Sequence, residues 1–329
     1  MKYKWGIIGT GYIAGRMAAN LRDHYSPAVA VAARNYDKTK KFAQKYQIQQ
    51  AWPTPTELFA DSAIDIVYIG TPNNTHYDFI KKALLAGKHV LCEKPMVINR
   101  EQFLELVNLA KEKQLILEEA YTPFHMPVMN KIKEAIDAGK IGKVCEVQAN
   151  FSAAIKNPNP KGRLYNPALG GGNLLDMGCY PICFAQLFMS VTNLKIKSDV
   201  QMGSTGVDIA SQILLENDKQ QFARLSSSFR DLMPKIGVIA GEKGYIIVDH
   251  FSRSDHATIH YLNSKTEEIN AGDSEQAWLY EAYDFEQYID AGKDRGELAM
   301  SYTIIKIMDV LRQSWKFKYP NELKIQENN

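Results

Sequence analysis

The sequence predicts two domains: a doubly wound parallel α/β domain over residues 1–122, and an α+β domain over residues 123–329 with a large, mostly antiparallel open sheet. The 329 residues suit two domains of ordinary size. In the first domain, short continuous apolar runs alternate with helix-like stretches, which is the rhythm of βαβ units whose strands are buried on both faces. After about residue 140, apolar residues instead occupy every second position, as in strands buried on one face.

The apolar runs of the first domain predict its strands. A helix start follows the second run, because Thr54 can cap the helix, Pro55 suits its first position and Glu57 its third, forming a capping box. The predicted strands are Trp5–Gly9, Ala28–Ala33, Ile64–Ile69, His89–Cys92 and Leu115–Leu117.

Alternating apolar residues predict the sheet of the second domain, beginning with Cys145, Val147, Ala149 and Phe151. A large half-buried sheet predicts assembly into a homodimer or homotetramer through its uncovered face. The polar tail Tyr319–Asn329 is predicted to be a solvated end. Further predicted strands are Val207–Leu215, Phe222–Phe229, Pro234–Ala240 and Tyr245–Asp249, and helices are expected around 173–190, 276–291 and 300–316.

Composition and charge exclude several classes of protein. A formal net charge of +2 argues against nucleic-acid binding through bulk positive charge. The longest uncharged run, Met177–Leu194, is too polar to span a bilayer, and no apolar signal region opens the chain, so we expect a cytoplasmic protein. The four cysteines lack paired CxxC spacing and the histidines are scattered, so no disulfide framework and no metal site is expected.

A glycine-rich segment directly follows the first strand. Gly9, Gly11 and Ala14 occur in the order GxGxxA, where the glycines allow a sharp turn and close approach of the backbone to a pyrophosphate. Tyr12 and Ile13 would open the next helix and direct its N-terminus at the phosphates. This context predicts a dinucleotide site of the Rossmann type, the alternative being a glycine-rich turn that binds nothing.

The end of the second strand predicts which nucleotide is preferred. NAD sites usually carry Asp or Glu there, to bind the ribose hydroxyls, whereas this chain has Arg34, with Lys38 close behind. A guanidinium can bind a 2′-phosphate, so we expect NADP, with NAD possible. The alternative is that Arg34 is a solvated charge with Asp37 as its local partner.

Three further segments resemble the Gfo/Idh/MocA family of sugar and polyol oxidoreductases. They read GTPNNTH over Gly70–His76, CEKP over Cys92–Pro95 and GGGNLLDMGCY over Gly170–Tyr180. With the glycine loop, they extend the resemblance over nearly the whole chain. Tyr180 and the segment Glu119–Tyr121 are most similar to the NADP-dependent dihydrodiol dehydrogenase and xylose dehydrogenase branch.

The resemblance implies a set of site residues. Lys94 would polarise the reacting hydroxyl and Tyr180 would exchange its proton, since a neighbouring cation lowers the pKa of a phenol from its usual value of about 10. Asp176, four residues before Tyr180, would assist by accepting a hydrogen bond from the substrate or from Lys94. Further cofactor contacts would come from Thr71, Pro72, Asn74, His76 and Glu93, together with Lys94.

The substrate pocket is less well defined by the sequence. Tyr121, Phe124 and His125 could line its mouth or serve only in packing, and Arg163 could touch cofactor or substrate or be a solvated loop charge. Tyr180 stands where other branches carry His, so inositol is not the first substrate expected. The partner is therefore a small sugar, polyol or cyclic diol.

Together these features predict an NADP-preferring oxidoreductase that transfers a hydride between nicotinamide and a hydroxyl-bearing carbon. Two alternatives stay open. One is a reductase of another carbonyl or C=C substrate. The other is a regulatory protein that senses NADP and sugar without turnover, because a fold does not by itself determine a function.

Overall fold

The computed structural model describes residues 2–320 and 322, which form two compact units. The first unit contains the chain up to Tyr121 together with Trp278–Tyr302, and the second contains Thr122–Ala277 and the chain from Thr303 onward. The sequence predicted two domains that meet once, at residue 122, whereas the first unit also contains the later segment Trp278–Tyr302. Glu286 lies in that segment. Its carboxylate accepts hydrogen bonds from Trp5 Nε1 (2.8 Å) and from the Tyr25 hydroxyl (2.7 Å).

The first unit is built on a six-stranded, wholly parallel sheet of order β3-β2-β1-β4-β5-β6, which confirms the doubly wound α/β prediction. The third strand was not predicted, because it is short, partly exposed and begins with a polar residue. The strands are β1 Trp5–Ile8, β2 Ala30–Ala32, β3 Gln50–Trp52, β4 Ile66–Ile69, β5 His89–Glu93 and β6 Leu117–Ala120.

Helices connect these parallel strands. The predicted capping box is confirmed, since the Thr54 hydroxyl accepts from the backbone N–H of Glu57 and the Glu57 carboxylate accepts from the backbone N–H of Thr54. The helices are α1 Tyr12–His24, α2 Tyr36–Tyr46, α3 Pro55–Ala60, α4 His76–Leu85 and α5 Arg100–Glu112.

The second unit contains an eight-stranded sheet of order β14-β13-β12-β11-β7-β10-β9-β8. Every neighbouring pair is antiparallel except β7 and β10, which confirms the mostly antiparallel prediction. The strands are β7 Val144–Ser152, β8 Lys195–Met202, β9 Asp208–Glu216, β10 Phe222–Ser228, β11 Ile236–Gly241, β12 Gly244–Asp249, β13 His256–Tyr261 and β14 Thr266–Asn270.

The remaining helices are α6 Thr122–His125, α7 Pro127–Asp137, α8 Cys179–Phe188, α9 Ala277–Ala291 and α10 Glu297–Ser314. A π-helical turn, Leu174–Gly178, leads directly into α8. Among the described helices, none combines the length and apolar character needed to cross a membrane.

The start of the C-terminal tail is buried, contrary to the predicted solvated end. Tyr319 is 1% exposed, and its hydroxyl donates to the carbonyl of Gly171 (2.7 Å). The aromatic ring supplies the apolar area that makes burial favourable, which the polar composition of the tail concealed. The rest of that tail, residues 321 and 323–329, lies outside the described residues.

Candidate active site

A cleft of about 280 Å³ opens at the carboxyl ends of β1, β2 and β4. We call it the glycine-loop cleft. It brings together half of the predicted cofactor residues, namely Gly9, Gly11, Arg34, Lys38, Thr71 and Pro72. Ligands of open α/β sheets bind at this edge, because the loops that follow the strands diverge there.

The two glycines of the loop serve different purposes. Gly9 has φ +114°, and a Cβ there would lie 2.5 Å from the carbonyl oxygen of Gly70, so glycine is required by the backbone. Gly11 precedes α1, and a Cβ there would meet nothing within 4 Å. The cleft is therefore open beside Gly11, at the N-terminus of α1, where Tyr12 is exposed and Ile13 is half-buried.

Positive charge borders this open helix end. No side chain caps α1 and its first turn contains no acidic residue, so its N–H groups and the helix dipole favour an anion. Arg34 and Lys38 line the same cleft and are exposed. Asp37, the alternative partner considered for Arg34, instead pairs with Lys40 at 2.9 Å.

His76 joins the loops that follow β4 and β5. Its side chain is fully buried, with Nδ1 2.9 Å from the carbonyl oxygen of Pro95 and Nε2 2.8 Å from that of Thr71. Burial lowers its pKa, which favours the neutral ring. Both ring nitrogens thus face backbone carbonyl oxygens and link the two loops, and the cofactor contact of His76 stays a prediction. Nearby, the buried Oδ1 of Asn74 has no hydrogen-bond partner among residues 2–320 and 322.

Lys94 lies among buried carboxyl groups at the end of β5. Glu93 accepts a hydrogen bond from the Tyr68 hydroxyl (2.6 Å), and Glu119 accepts one from the backbone N–H of Met96 (2.7 Å). Burial raises the pKa of Glu119 to about 7, although the charge of Lys94 opposes that rise. The sequence analysis named Glu119 only within the segment Glu119–Tyr121 and gave it no role; two consecutive glutamates beside an apolar strand were the available signal.

This burial predicts a pH-dependent stability. The pKa of Glu119 rises from 4.5 to about 7 on folding. The contribution of protonated Glu119 to the stability of the fold is therefore complete below pH 4.5 and is lost as the pH rises through 7. The free energy of unfolding of Glu119→Gln, relative to that of the parent protein, should therefore rise by about 2 to 3 kcal/mol between pH 5 and pH 8. Urea unfolding at both pH values measures it, with exposed Glu101→Gln as the control. Equal pH dependence in parent and Glu119→Gln would contradict the assignment.

The second unit presents Tyr180 at the start of α8. Its side chain is 8% exposed, and its ring stacks on Phe151 of β7 with centroids 5.0 Å apart and planes 13° apart. The Nζ of Lys235 lies over Phe151, 4.6 Å from the ring centroid. Phe251 contacts Phe151 edge-on at 6.1 Å. Sequence reasoning read Phe151 only as a strand residue and did not single out Lys235, because neither contact is local in sequence.

Asp176 and Arg163, predicted for separate roles, form an ion pair in which Nη1 lies 2.7 Å from Oδ1. The Asp176 side chain is 18% exposed, so the pair is partly shielded from water. Gly171 fixes the loop that carries Arg163, since a Cβ at Gly171 would lie 2.9 Å from the carbonyl oxygen of Arg163. Asp176 is thus held by a residue of its own unit, while the Arg163 side chain is 59% exposed and lies largely in solvent.

The predicted pocket residues Tyr121, Phe124 and His125 are all buried. Beside them, the hydroxyl of Thr122 donates to the carbonyl of Ser252 (2.7 Å), which anchors the start of α6. Among the described residues, no three His, Cys, Asp or Glu side chains are grouped to hold a metal ion.

Comparison with protein families gives two matches. Residues 3–121 match the model described as "Oxidoreductase family, NAD-binding Rossmann fold", and residues 129–247 match the "GFO/IDH/MocA C-terminal domain".

Individual proteins are similar over almost the full length. A trans-1,2-dihydrobenzene-1,2-diol dehydrogenase of Xenopus laevis is 34% identical over 97% of this chain and 100% of its own. A scyllo-inositol 2-dehydrogenase (NADP(+)) of Bacillus subtilis is 28% identical over 96% and 98%.

Solved structures agree in fold. A 3-ketoreductase from Actinomadura kijaniata, in complex with NADP and TDP-benzene, has a TM-score of 0.83 and 26% identity, covering 94% of this chain and 97% of its own. A levoglucosan dehydrogenase has a TM-score of 0.86 at 18% identity, covering 95% and 96%, and therefore supports the fold alone.

Proposed function

Since this chain belongs to the Gfo/Idh/MocA family of oxidoreductases, we propose that it binds NADP and oxidises or forms a hydroxyl-bearing carbon of a sugar, polyol or cyclic diol. Relatives named as dihydrodiol and scyllo-inositol dehydrogenases support this range of substrates. An inositol-type polyol thus joins the candidates, although the tyrosine at position 180 made it a secondary expectation.

The observation that carries the proposal is the glycine-loop cleft. Its residues fit a dinucleotide phosphate: Gly11 leaves open space at an uncapped helix N-terminus, and Arg34 and Lys38 add two positive charges. The unpartnered Oδ1 of Asn74 is a buried acceptor that a bound amide or hydroxyl group would satisfy. NADP in the similar ketoreductase, and in the name of the inositol dehydrogenase, supports the choice of nucleotide.

Each candidate residue then has a chemical role. A bound nicotinamide ring would supply the hydride chemistry. Lys94 supplies a positive charge that polarises the reacting hydroxyl, and Tyr180 holds or takes its proton at the phenol oxygen. Asp176, held by Arg163, accepts a hydrogen bond from a second hydroxyl. Glu93, oriented by Tyr68, binds ribose hydroxyls.

Removing Arg34 tests the nucleotide assignment. In Arg34→Ala, the affinity for NADPH should fall about tenfold or more while the affinity for NADH stays unchanged, because only the 2′-phosphate requires the guanidinium. Fluorescence titration with both nucleotides measures this, with Arg100→Ala on α5 as the matched control. Equal or tighter binding of NADH by the parent protein would assign NAD as the cofactor. Binding of neither nucleotide would remove the oxidoreductase proposal.

We also propose a homo-oligomer that buries the uncovered face of the eight-stranded sheet. Leu214, Phe222 and Tyr245 lie on its strands with 51%, 50% and 42% of their surfaces exposed, which is apolar area that a second copy would cover. Light scattering should give the mass of a dimer or tetramer, and Leu214→Lys should shift it towards the monomer. A monomeric parent protein would refute the proposal.

All four cysteines are free thiols, which suits the cytoplasm that we propose as the setting of this protein.

A further inference from the structure

One continuous segment of the second unit carries both Asp176 and Tyr180. The π-helical turn Leu174–Gly178 runs directly into α8, so Asp176 lies inside the turn and Tyr180 is the second residue of the helix. The backbone N–H of Asp176 donates to the carbonyl of Gly172 (3.3 Å), which ties the turn to the glycines before it. The positions of both side chains therefore depend on how the start of this segment is held.

Asp208, the first residue of β9, holds that start from another element. It is 1% exposed, and its Oδ2 accepts a hydrogen bond from the backbone N–H of Leu174 (2.6 Å). The first N–H groups of a helical turn have no partner within the turn and need an acceptor from outside. Asn173 stands at the capping position, but its Oδ1 accepts from the Ser227 hydroxyl. The cap therefore comes from Asp208, 34 residues further along the chain.

Tyr319 holds the same start from a third element. It follows α10, is 1% exposed, and its hydroxyl donates to the carbonyl of Gly171 (2.7 Å). A Cβ at Gly172 would overlap the Oδ1 of Asp208 and lie 3.1 Å from the Tyr319 hydroxyl oxygen. Both side chains therefore close on Gly172. We call the two hydrogen bonds, to Gly171 and to Leu174, the loop anchor.

The carboxyl group in this anchor is ionised at neutral pH. Burial raises the pKa of Asp208 to about 6, while the N–H of Leu174 and the positive charge of Arg312 oppose the rise. A negative charge at the N-terminal end of a helical turn is stabilised by the dipoles of its peptide groups. The cap is therefore a charged acceptor, which binds an N–H more strongly than a neutral one does.

We propose that Asp208 and Tyr319 are positioning residues of the candidate active site. They hold Gly171–Leu174, and through this anchor they fix where Asp176 and Tyr180 meet the substrate. The inference rests on the proposed function, because that function makes Tyr180 the proton-exchanging group. It adds two buried residues on which the reaction depends, acting through the backbone of another segment.

Amide hydrogen exchange tests the anchor without requiring turnover. Asp208→Val keeps the shape of the side chain but leaves the Leu174 N–H without its acceptor. Exchange followed by mass spectrometry should accelerate at least tenfold in peptides from Gly171–Tyr180 and stay parental in β12 and β13. Asp208→Asn retains an oxygen acceptor and should restore most of the protection. Tyr319→Phe removes one hydroxyl and should accelerate the same peptides, and it decides the question if Asp208→Val does not fold.

Kinetics test what the anchor does for the reaction. Oxidation of D-xylose, scyllo-inositol and trans-1,2-dihydrobenzene-1,2-diol with NADP⁺ should have a kcat about ten- to a hundredfold lower in Asp208→Val, because a misplacement of about 1 Å can cost that much. The KM for NADP⁺ should stay parental, because the residues of the glycine-loop cleft belong to the first unit. Asp208→Asn should recover most of kcat, a rescue that loss of stability alone does not explain.

Asp255 provides the matched control. Its Oδ2 accepts from the backbone N–H of Ser274 (3.0 Å) in the same unit, so Asp255→Val breaks the same kind of bond elsewhere. This variant should keep parental kcat and parental exchange over Gly171–Tyr180. Unchanged exchange, or unchanged kcat, in both Asp208→Val and Tyr319→Phe overturns the inference. So does an equal loss of kcat in Asp255→Val, or exchange that accelerates equally throughout the second unit.

The outcomes also separate this inference from the proposed function. Faster local exchange in Asp208→Val and Tyr319→Phe, with no turnover by the parent protein, would refute the dehydrogenase and keep the anchor of the segment. Turnover and exchange at parental rates in both variants would keep the dehydrogenase and refute the anchor.

Discussion

Tyr180→Phe should lower kcat by about 10²- to 10⁴-fold, because it removes only the hydroxyl proposed to exchange the substrate proton. The ring itself stays, and with it the stacking on Phe151 at 5.0 Å, so the fold and the affinity for NADPH should be unchanged. Steady-state turnover with NADP⁺, together with nucleotide titration, separates the chemical step from cofactor binding.

The same substitution at Tyr165 is the matched control. Tyr165 lies in the same unit and packs on Phe229 with centroids 5.5 Å apart, and it has no proposed role in proton exchange, so its variant should keep parental turnover. Full activity in Tyr180→Phe would mean that the proton leaves by another group. A parent protein that binds NADPH and a sugar yet turns nothing over would favour the regulatory alternative.

Lys94→Ala should lower kcat by about 10²-fold or more, because the ammonium is proposed to stabilise the charge that develops on the substrate oxygen. Its backbone is held on both sides: Tyr68 hydrogen-bonds the side chain of Glu93, and His76 lies 2.9 Å from the carbonyl oxygen of Pro95. The loss should therefore arise from the missing charge and not from movement of the loop. Initial-rate kinetics at saturating NADP⁺ measure it.

Lys94→Arg and Lys111→Ala complete the series. Arginine restores the positive charge and should recover part of the rate, whereas Lys111 is exposed on α5 and its loss should change nothing. If Lys94 only balanced its acidic neighbours, Lys94→Ala would instead lower the free energy of unfolding and leave kcat intact. Unfolding in urea, measured alongside the kinetics, distinguishes the two.

The fold was predictable wherever one local pattern decides an element. Continuous apolar runs identified four of the six parallel strands, and the fifth run, Leu115–Leu117, meets β6 only at Leu117. The capping box at Thr54 identified the start of α3. The failures share a physical cause. β8, Lys195–Met202, alternates between exposed and half-buried residues at the edge of its sheet, so it lacks the apolar periodicity that reveals a strand.

The candidate site was predictable only in its residue types. The glycine loop and Arg34 are readable because each directly follows a predicted strand, where the residue type alone indicates its use. The pairing of Arg163 with Asp176 and the stacking of Tyr180 on Phe151 join segments 13 and 29 residues apart, and these pairings depend on the tertiary fold. Glu119 was given no role for a related reason, since its burial follows from the tertiary fold and not from its residue type.

The return of Trp278–Tyr302 to the first unit has a consequence for how the protein is made and exchanged. Because Glu286 accepts a hydrogen bond from the indole N–H of Trp5 and Phe285 packs on that ring at 5.9 Å, the packing of β1 is completed by residues synthesised about 280 positions later. The nucleotide-binding unit therefore cannot complete this packing on the ribosome before residues 122–277 of the other unit have been synthesised. Recombination at residue 122 would separate β1 from the residues that cover it.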